Sequence, residues 1–159
     1  MKALSLRWWM HPPDHGDTAP TVVTGVFDVL HAGHVRFLTW ARHRGRPVYV
    51  GIEDDERVAA MKGPDRPVNH LEERAEVLAA LRPVDAVFLI SGPPDLVGPD
   101  AYVELLRPLA PGAFAFTDGD PFADAKRQGA AALGADVLEF PHQRGLSTSA
   151  VLDRLEASS

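Results

Sequence analysis

The stretch Thr21-Val22-Val23-Thr24-Gly25-Val26-Phe27-Asp28-Val29-Leu30-His31-Ala32-Gly33-His34 decides how this chain is read. Pro20 bounds a short β-branched run, Thr21 to Thr24, which reads as a buried strand. Beyond the turn, Val35, Phe37, Leu38 and Ala41 recur at roughly helical spacing. That spacing predicts a helix whose first turn carries His31 and His34 on one face, with Gly33 between them. A helix start presents unpaired backbone N–H groups and the positive end of the macrodipole, a ready site for an anion. Gly33 lets a phosphate approach the backbone, and two imidazoles can donate to its oxygens, more strongly once protonated. The same pair could bind a metal or simply begin a helix. With no cysteine and no third ligand at metal spacing, a zinc site has little support.

The motif Gly25-x-Phe27-Asp28-x-x-His31-x-Gly33-His34 resembles the signature of the cytidylyltransferase-like nucleotidyltransferases. That family includes glycerol-phosphate and ethanolamine-phosphate cytidylyltransferases, heptose-phosphate adenylyltransferases and archaeal FAD synthetases. The resemblance implies that Gly25, Val26, Phe27, Asp28 and Gly33 line a nucleotide site. It also implies that His31 and His34 act on the α- and β-phosphates, with Asp28 orienting them or meeting the acceptor.

Downstream, Pro47 to Ile52 reads as a second buried strand, which completes a strand–helix–strand unit with a right-handed crossover. Glu53-Asp54-Asp55 reads as an acidic helix start. The Gly- and Pro-punctuated segment Lys62 to Val68 cannot be a continuous helix. Its cations either sit in solvent or swing over a phosphate, and its place after a strand of an α/β unit favours the second. Asn69 is expected to cap the next helix with Glu72 at the capping-box position, and Arg74 reads as an exposed helix residue. The pattern Lys62-Gly63-x-x-Arg66-Pro67-Val68-Asn69-x-Leu71-Glu72-x-Arg74 resembles most the heptose-phosphate adenylyltransferase branch. That likeness implies a triphosphate-binding, catalytic role for Lys62, and roles for Arg66 and Arg74 in holding phosphates or shaping the loop.

Strands are expected at Val84–Ile90, Ala113–Thr117 and Asp136–Phe140, with helices at Ala101–Leu109 and from Phe122 to Leu133, the last stopped by Gly134. Asp118-Gly119-Asp120-Pro121 is a turn, and the resemblance places Asp118, Gly119 and Asp120 in the nucleotide or acceptor pocket. The heptose-type pattern would carry lysine and glycine where this chain has Thr117 and Asp118. Ser147, Thr148 and Ser149 precede a helix containing Val151, Leu152 and Leu155, so one hydroxyl is its N-cap. Gly145-Leu146-Ser147-Thr148-Ser149 resembles the family segment that contacts the triphosphate, and Arg144 can supply positive charge beside it, with His142 departing from the cytidylyltransferase pattern.

Five parallel strands with intervening helices predict a single Rossmann-like, doubly wound α/β domain over residues 21–156. Residues 1–20 are expected to be an N-terminal arm or an extra edge strand; adjacent Trp8 and Trp9 suit a protein contact, and the resemblance implies a homodimer. A chain of 159 residues, 45% apolar, holds one domain with a real core. A net charge of -6 argues against a general nucleic-acid binder, and no membrane-length apolar run or signal peptide is present, so a cytoplasmic protein is expected. The absence of cysteine agrees with a reducing compartment.

The expected reaction is transfer of a nucleotidyl group from a nucleoside triphosphate, carried with Mg²⁺, to a phosphorylated small molecule, releasing pyrophosphate. ATP is slightly favoured over CTP. A nucleotide-binding regulatory or scaffold protein of the same fold is the alternative. A dinucleotide-dependent oxidoreductase lacks its Gly-x-Gly-x-x-Gly turn after the first strand.

Overall fold

A computed structural model of the chain describes residues 2–141 and 147–158. Its strands are β1 (Ser5–Met10), β2 (Thr21–Gly25), β3 (Val48–Glu53), β4 (Ala86–Ser91), β5 (Ala113–Thr117) and β6 (Asp136–Phe140). Its helices are α1 (Ala32–Arg42), α2 (Asp55–Lys62), α3 (Leu71–Ala79), α4 (Pro99–Leu106), α5 (Ala123–Leu133) and α6 (Thr148–Ala157). One six-stranded sheet runs in the order β1-β4-β3-β2-β5-β6. The five strands from β2 to β6 are parallel, as the alternation of strand and helix predicts. The sixth comes from the N-terminal segment: β1 pairs antiparallel with β4, and Trp8 packs edge-on against Tyr49 and Phe88. The N-terminal residues are thus an extra edge strand of this sheet.

Val48, Val50, Ile52, Val87 and Leu89 of β3 and β4 meet α1 and α3 through Phe37, Leu38, Ala41, Ala75 and Leu78. Tyr49, Ala86, Phe88 and Ile90 point to the other face, where Leu105, Leu106 and Ala130 of the α4–α5 layer cover them. The period-two alternation of side chains sorts these residues between the faces. α1 and α5 therefore lie on opposite sides of the sheet.

Winding reverses between β2 and β5: the chain moves outward one way through β3 and β4, then returns to place β5 on the other flank of β2. β2 pairs with β3 along its whole length, Thr21 to Gly25, but with β5 only at Thr21 and Val22. Beyond Val22 the two strands splay, and a crevice opens at their carboxyl ends. Open α/β sheets bind ligands at such a switch point.

Candidate active site

A cavity of about 360 Å³ occupies that crevice. Thr24, Gly25, Val26, Phe27, Asp28, His31, Gly33 and His34 form one wall, from the end of β2 into α1. Lys62 approaches from the last turn of α2 and Arg66 from the loop after it, Gly119 and Asp120 from the turn after β5, and Ser147, Thr148 and Ser149 from the start of α6.

The start of α1 is capped by its histidines. His31 is the N-cap residue in extended conformation, and its Nδ1 accepts from the Gly33 N–H at 3.0 Å. The His31 backbone N–H in turn donates to Nδ1 of His34 at 3.3 Å. This reciprocal cap uses imidazoles where Ser and Glu are customary. It also fixes the tautomers: a ring nitrogen that accepts carries no proton, so each neutral ring holds its hydrogen on Nε2. The rings lie 3.9 Å apart between centroids, which makes two positive charges there unfavourable. Burial, and then the neighbouring His31, push His34 down from 6.5 to about 4. Burial, with Arg154 nearby, lowers His31 as well. Both rings are consequently neutral donors at pH 7, so protonation is not the source of their donor strength in the free protein.

Phe27 packs beside His34. Its ring centroid lies 5.3 Å from that of His34, and its backbone is left-handed, at φ 49. A Cβ on Gly25 would lie 2.9 Å from the Phe27 ring, so a side chain there would push the ring from its place across the turn.

Asp28, only 3% exposed, does not touch the histidines. Its carboxylate accepts from Arg66 Nε at 2.9 Å, Val68 N at 2.7 Å and Asn69 N at 2.8 Å. Burial alone would raise its pKa, but the backbone donors of Asn69 and Val68, with Arg66, outweigh it and hold the carboxyl below its usual range. Asp28 thereby pins the 66–69 segment against the end of β2, with Arg66 lining the cavity. Asn69 spends its side chain on the Asp28 carbonyl rather than on a helix cap, and His70 is the residue that precedes α3.

Arg74 is neither an exposed helix residue nor placed for a phosphate. It is 2% exposed and lies outside the cavity wall. Its Nη1 donates to the carbonyls of Val26 and Glu53, its Nε to that of Asn69, and its Nη2 to the Asp55 carboxylate. It ties the ends of β2 and β3 to the loop and to α2. Asp118 also lies outside the cavity wall, and its backbone N–H donates to Phe140 O at 2.9 Å. Ser147 is the N-cap of α6, accepting from Ala150 N, while the Thr148 hydroxyl donates to the Val29 carbonyl at 3.0 Å. His142, Arg144, Gly145 and Leu146 lie outside the described residues.

Two groups of cavity residues have no signal in the sequence. Glu53 ends β3 rather than starting a helix, and its carboxylate accepts from the fully buried Arg57 at 2.6 Å and from the Tyr102 hydroxyl. Arg57 also donates to the carbonyls of Pro93 and Leu96, so the loop after β4 is fastened to the cavity wall. The second group is Lys126 of α5, which reaches across to the end of β2. Each contact joins residues distant in sequence, which local patterns do not reveal.

Donors converging on a helix start at the switch point of a Rossmann-like sheet form a site suited to an anion. The family model described as cytidylyltransferase-like matches residues 22–146, and the chain belongs to this family; its class is that of the nucleotidyltransferases. A curated relative named Bifunctional protein HldE, from Gluconacetobacter diazotrophicus, is 40% identical over 139 residues, 84% of this chain and 26% of that protein. The protein of the same name from Coxiella burnetii is 35% identical over 142 residues, 89% of this chain and 28% of that one. The chain thus spans about a quarter of the length of these relatives. Among solved structures, the lipopolysaccharide core biosynthesis protein of Thermoplasma volcanium superposes with TM-score 0.60 at 23% identity, over 79% of this chain and 97% of that one. The pantoate-beta-alanine ligase of Francisella tularensis does so with TM-score 0.63 at 18% identity, over 86% and 65%. Both likenesses concern the fold.

Proposed function

We propose that the protein transfers an adenylyl group from ATP to a sugar phosphate, with release of pyrophosphate. The observation that carries this reading is the helix start of α1, where two neutral imidazoles line the same crevice as Lys62 and the cap leaves their Nε2–H donors unused. ATP is preferred to CTP because the Lys62–Arg74 segment follows the adenylyl-transferring pattern and the HldE relatives align across it.

In the proposed step a phosphate oxygen of the acceptor attacks the α-phosphorus, and the bond from that phosphorus to the α–β bridging oxygen breaks. The attacking phosphate monoester is already a dianion, and pyrophosphate leaves with the displaced electron pair. No proton has to be removed from the nucleophile, so a general base is unnecessary. This suits histidines whose Nδ1 atoms are occupied and whose Nε2 atoms are protonated. Their task is to donate to phosphate oxygens as charge builds on them, which is positioning and electrostatic stabilisation. Lys62 and the free edge of the Arg66 guanidinium add positive charge over the leaving group. Ser147, Thr148 and the start of α6 receive the distal phosphates.

Mg²⁺ accompanies the nucleotide in this proposal. Bound with the nucleotide, the ion would supply charge neutralisation at the triphosphate; among the described residues no group of three or more His, Asp or Glu side chains could hold a metal ion.

Pyrophosphate release from ATP or CTP with a heptose phosphate as acceptor tests the reading. We expect acceptor-dependent release with kcat/KM at least about tenfold higher for ATP. Equal use of CTP would overturn the base assignment, and no acceptor-dependent release with either nucleotide would overturn the proposed reaction.

A further inference from the structure

The cations already placed at the crevice, Lys62 and Arg66, arrive from the β3 side of β2. The turn after β5 contributes Gly119 and Asp120 to the cavity but no cation. On that flank the positive charge among the described cavity residues is Lys126, carried by α5 on the face of the sheet opposite α1. Its Nζ lies 3.0 Å from the carbonyl of Thr24, at the very end of β2, and 2.5 Å from Oδ2 of Asp120. Both members of the pair are largely buried, with side chains 17% and 16% exposed. Asp120 is itself fixed, because its Oδ1 accepts the Phe122 N–H at 2.8 Å. An ammonium has three donors, and these contacts take two of them.

In-line displacement requires the attacking and leaving oxygens on opposite sides of the phosphorus. The histidine cap gathers donors on the α1 side of the β2 end. With the triphosphate seated on that cap, as the nucleotidyl-transfer reading has it, the opposite side of the crevice is the one that α5 and Lys126 occupy. Two polyanions also have to meet in this crevice, and a second anion brought against the triphosphate needs its own cation.

We propose that Lys126 is the receptor for the attacking phosphate of the acceptor, and that Asp120 holds the lysine extended into the crevice until that phosphate arrives. The incoming dianion takes the third donor and competes with Asp120 for the ammonium. Lys126 is then the residue that separates acceptor binding from nucleotide binding. This inference rests on the nucleotidyl-transfer reading above.

Calorimetric titration tests it, first with the non-reacting analogue α,β-methylene-ATP and then with inorganic phosphate added to the analogue-loaded protein. The wild type is expected to bind both saturably. Lys126→Met keeps the aliphatic stem and is expected to weaken phosphate roughly tenfold or more while analogue affinity stays within about twofold. Lys126→Arg should restore much of the phosphate affinity. Asp120→Asn keeps the acceptor for Phe122 but removes the competing charge, and should bind phosphate about threefold more tightly. A merely structural lysine gives no such gain. The inference is overturned if the loaded wild type binds no phosphate, if Lys126→Met leaves phosphate affinity unchanged, or if it weakens analogue and phosphate alike. Failure of the wild type to bind the analogue would instead overturn the nucleotidyl-transfer reading itself.

Discussion

His31 and His34 cap one helix reciprocally: Nδ1 of His31 accepts from Gly33 N, and Nδ1 of His34 accepts from His31 N. One arrangement therefore completes the start of α1 and sets both tautomers, in two residues that line the crevice. Helix capping uses one nitrogen of each ring, and the proposed reaction would use the other for phosphate.

Acid should dismantle this cap. The unfolded chain takes up a proton on His34 near pH 6.5 and the folded chain only near 4, because burial and His31 oppose the charge. Between those values the unfolded state binds more protons. Stability from this residue is thus fully present above pH 6.5 and falls as pH is lowered toward 4, by up to about 3 kcal/mol. In an NMR titration the His34 ring should remain neutral down to about pH 5, with midpoint near 4. A midpoint near 6.5 would contradict the buried, capping role.

Removing a donor should affect turnover more than folding. His34→Ala loses one cap bond, worth about 1 kcal/mol, but should lower kcat by roughly 10²–10³. Urea unfolding and steady-state rates separate the two effects. Near-wild-type turnover would remove His34 from the mechanism.

Arg74 and Lys62 should behave oppositely. Arg74→Met leaves the carbonyls of Val26, Glu53 and Asn69 without their donor, and the domain should lose about 3–5 kcal/mol in denaturant unfolding. Lys62 ends α2 at the edge of the cavity, and Lys62→Ala should change stability by no more than about 0.5 kcal/mol while nucleotide binding weakens. A stable Arg74→Met with selectively impaired nucleotide binding would return Arg74 to the phosphate site.

The five parallel strands were legible because hydrophobic runs and turn residues are local signals, whereas their order in the sheet, with the winding reversal that opens the crevice, depends on long-range pairing. The start of α1 was legible too, since Gly33 and the two histidines fall within a single turn. Arg74 was not: its helical spacing resembles that of any surface arginine, and its partners Val26 and Glu53 lie 48 and 21 residues away. Asn69 misled for a related reason, since its side chain is as suitable for a helix cap as for the Asp28 carbonyl it actually meets. Lys126 lies 102 residues from Thr24, in an alanine-rich helix with no motif around it. Local spacing marks the residues placed by backbone geometry and gives no sign of those placed by long-range packing.

The most direct test of the histidine-capped phosphate site is thermal unfolding with ATP, CTP, GTP or UTP, each with and without Mg²⁺, for the wild type and His31→Ala. At about 100 times its Kd a ligand adds roughly 2.7 kcal/mol, or about 5–10 °C in a domain of this size. The account predicts such a shift for the wild type with MgATP, and its loss in a folded His31→Ala protein. Equal shifts in both proteins, or none with any nucleotide, would contradict it.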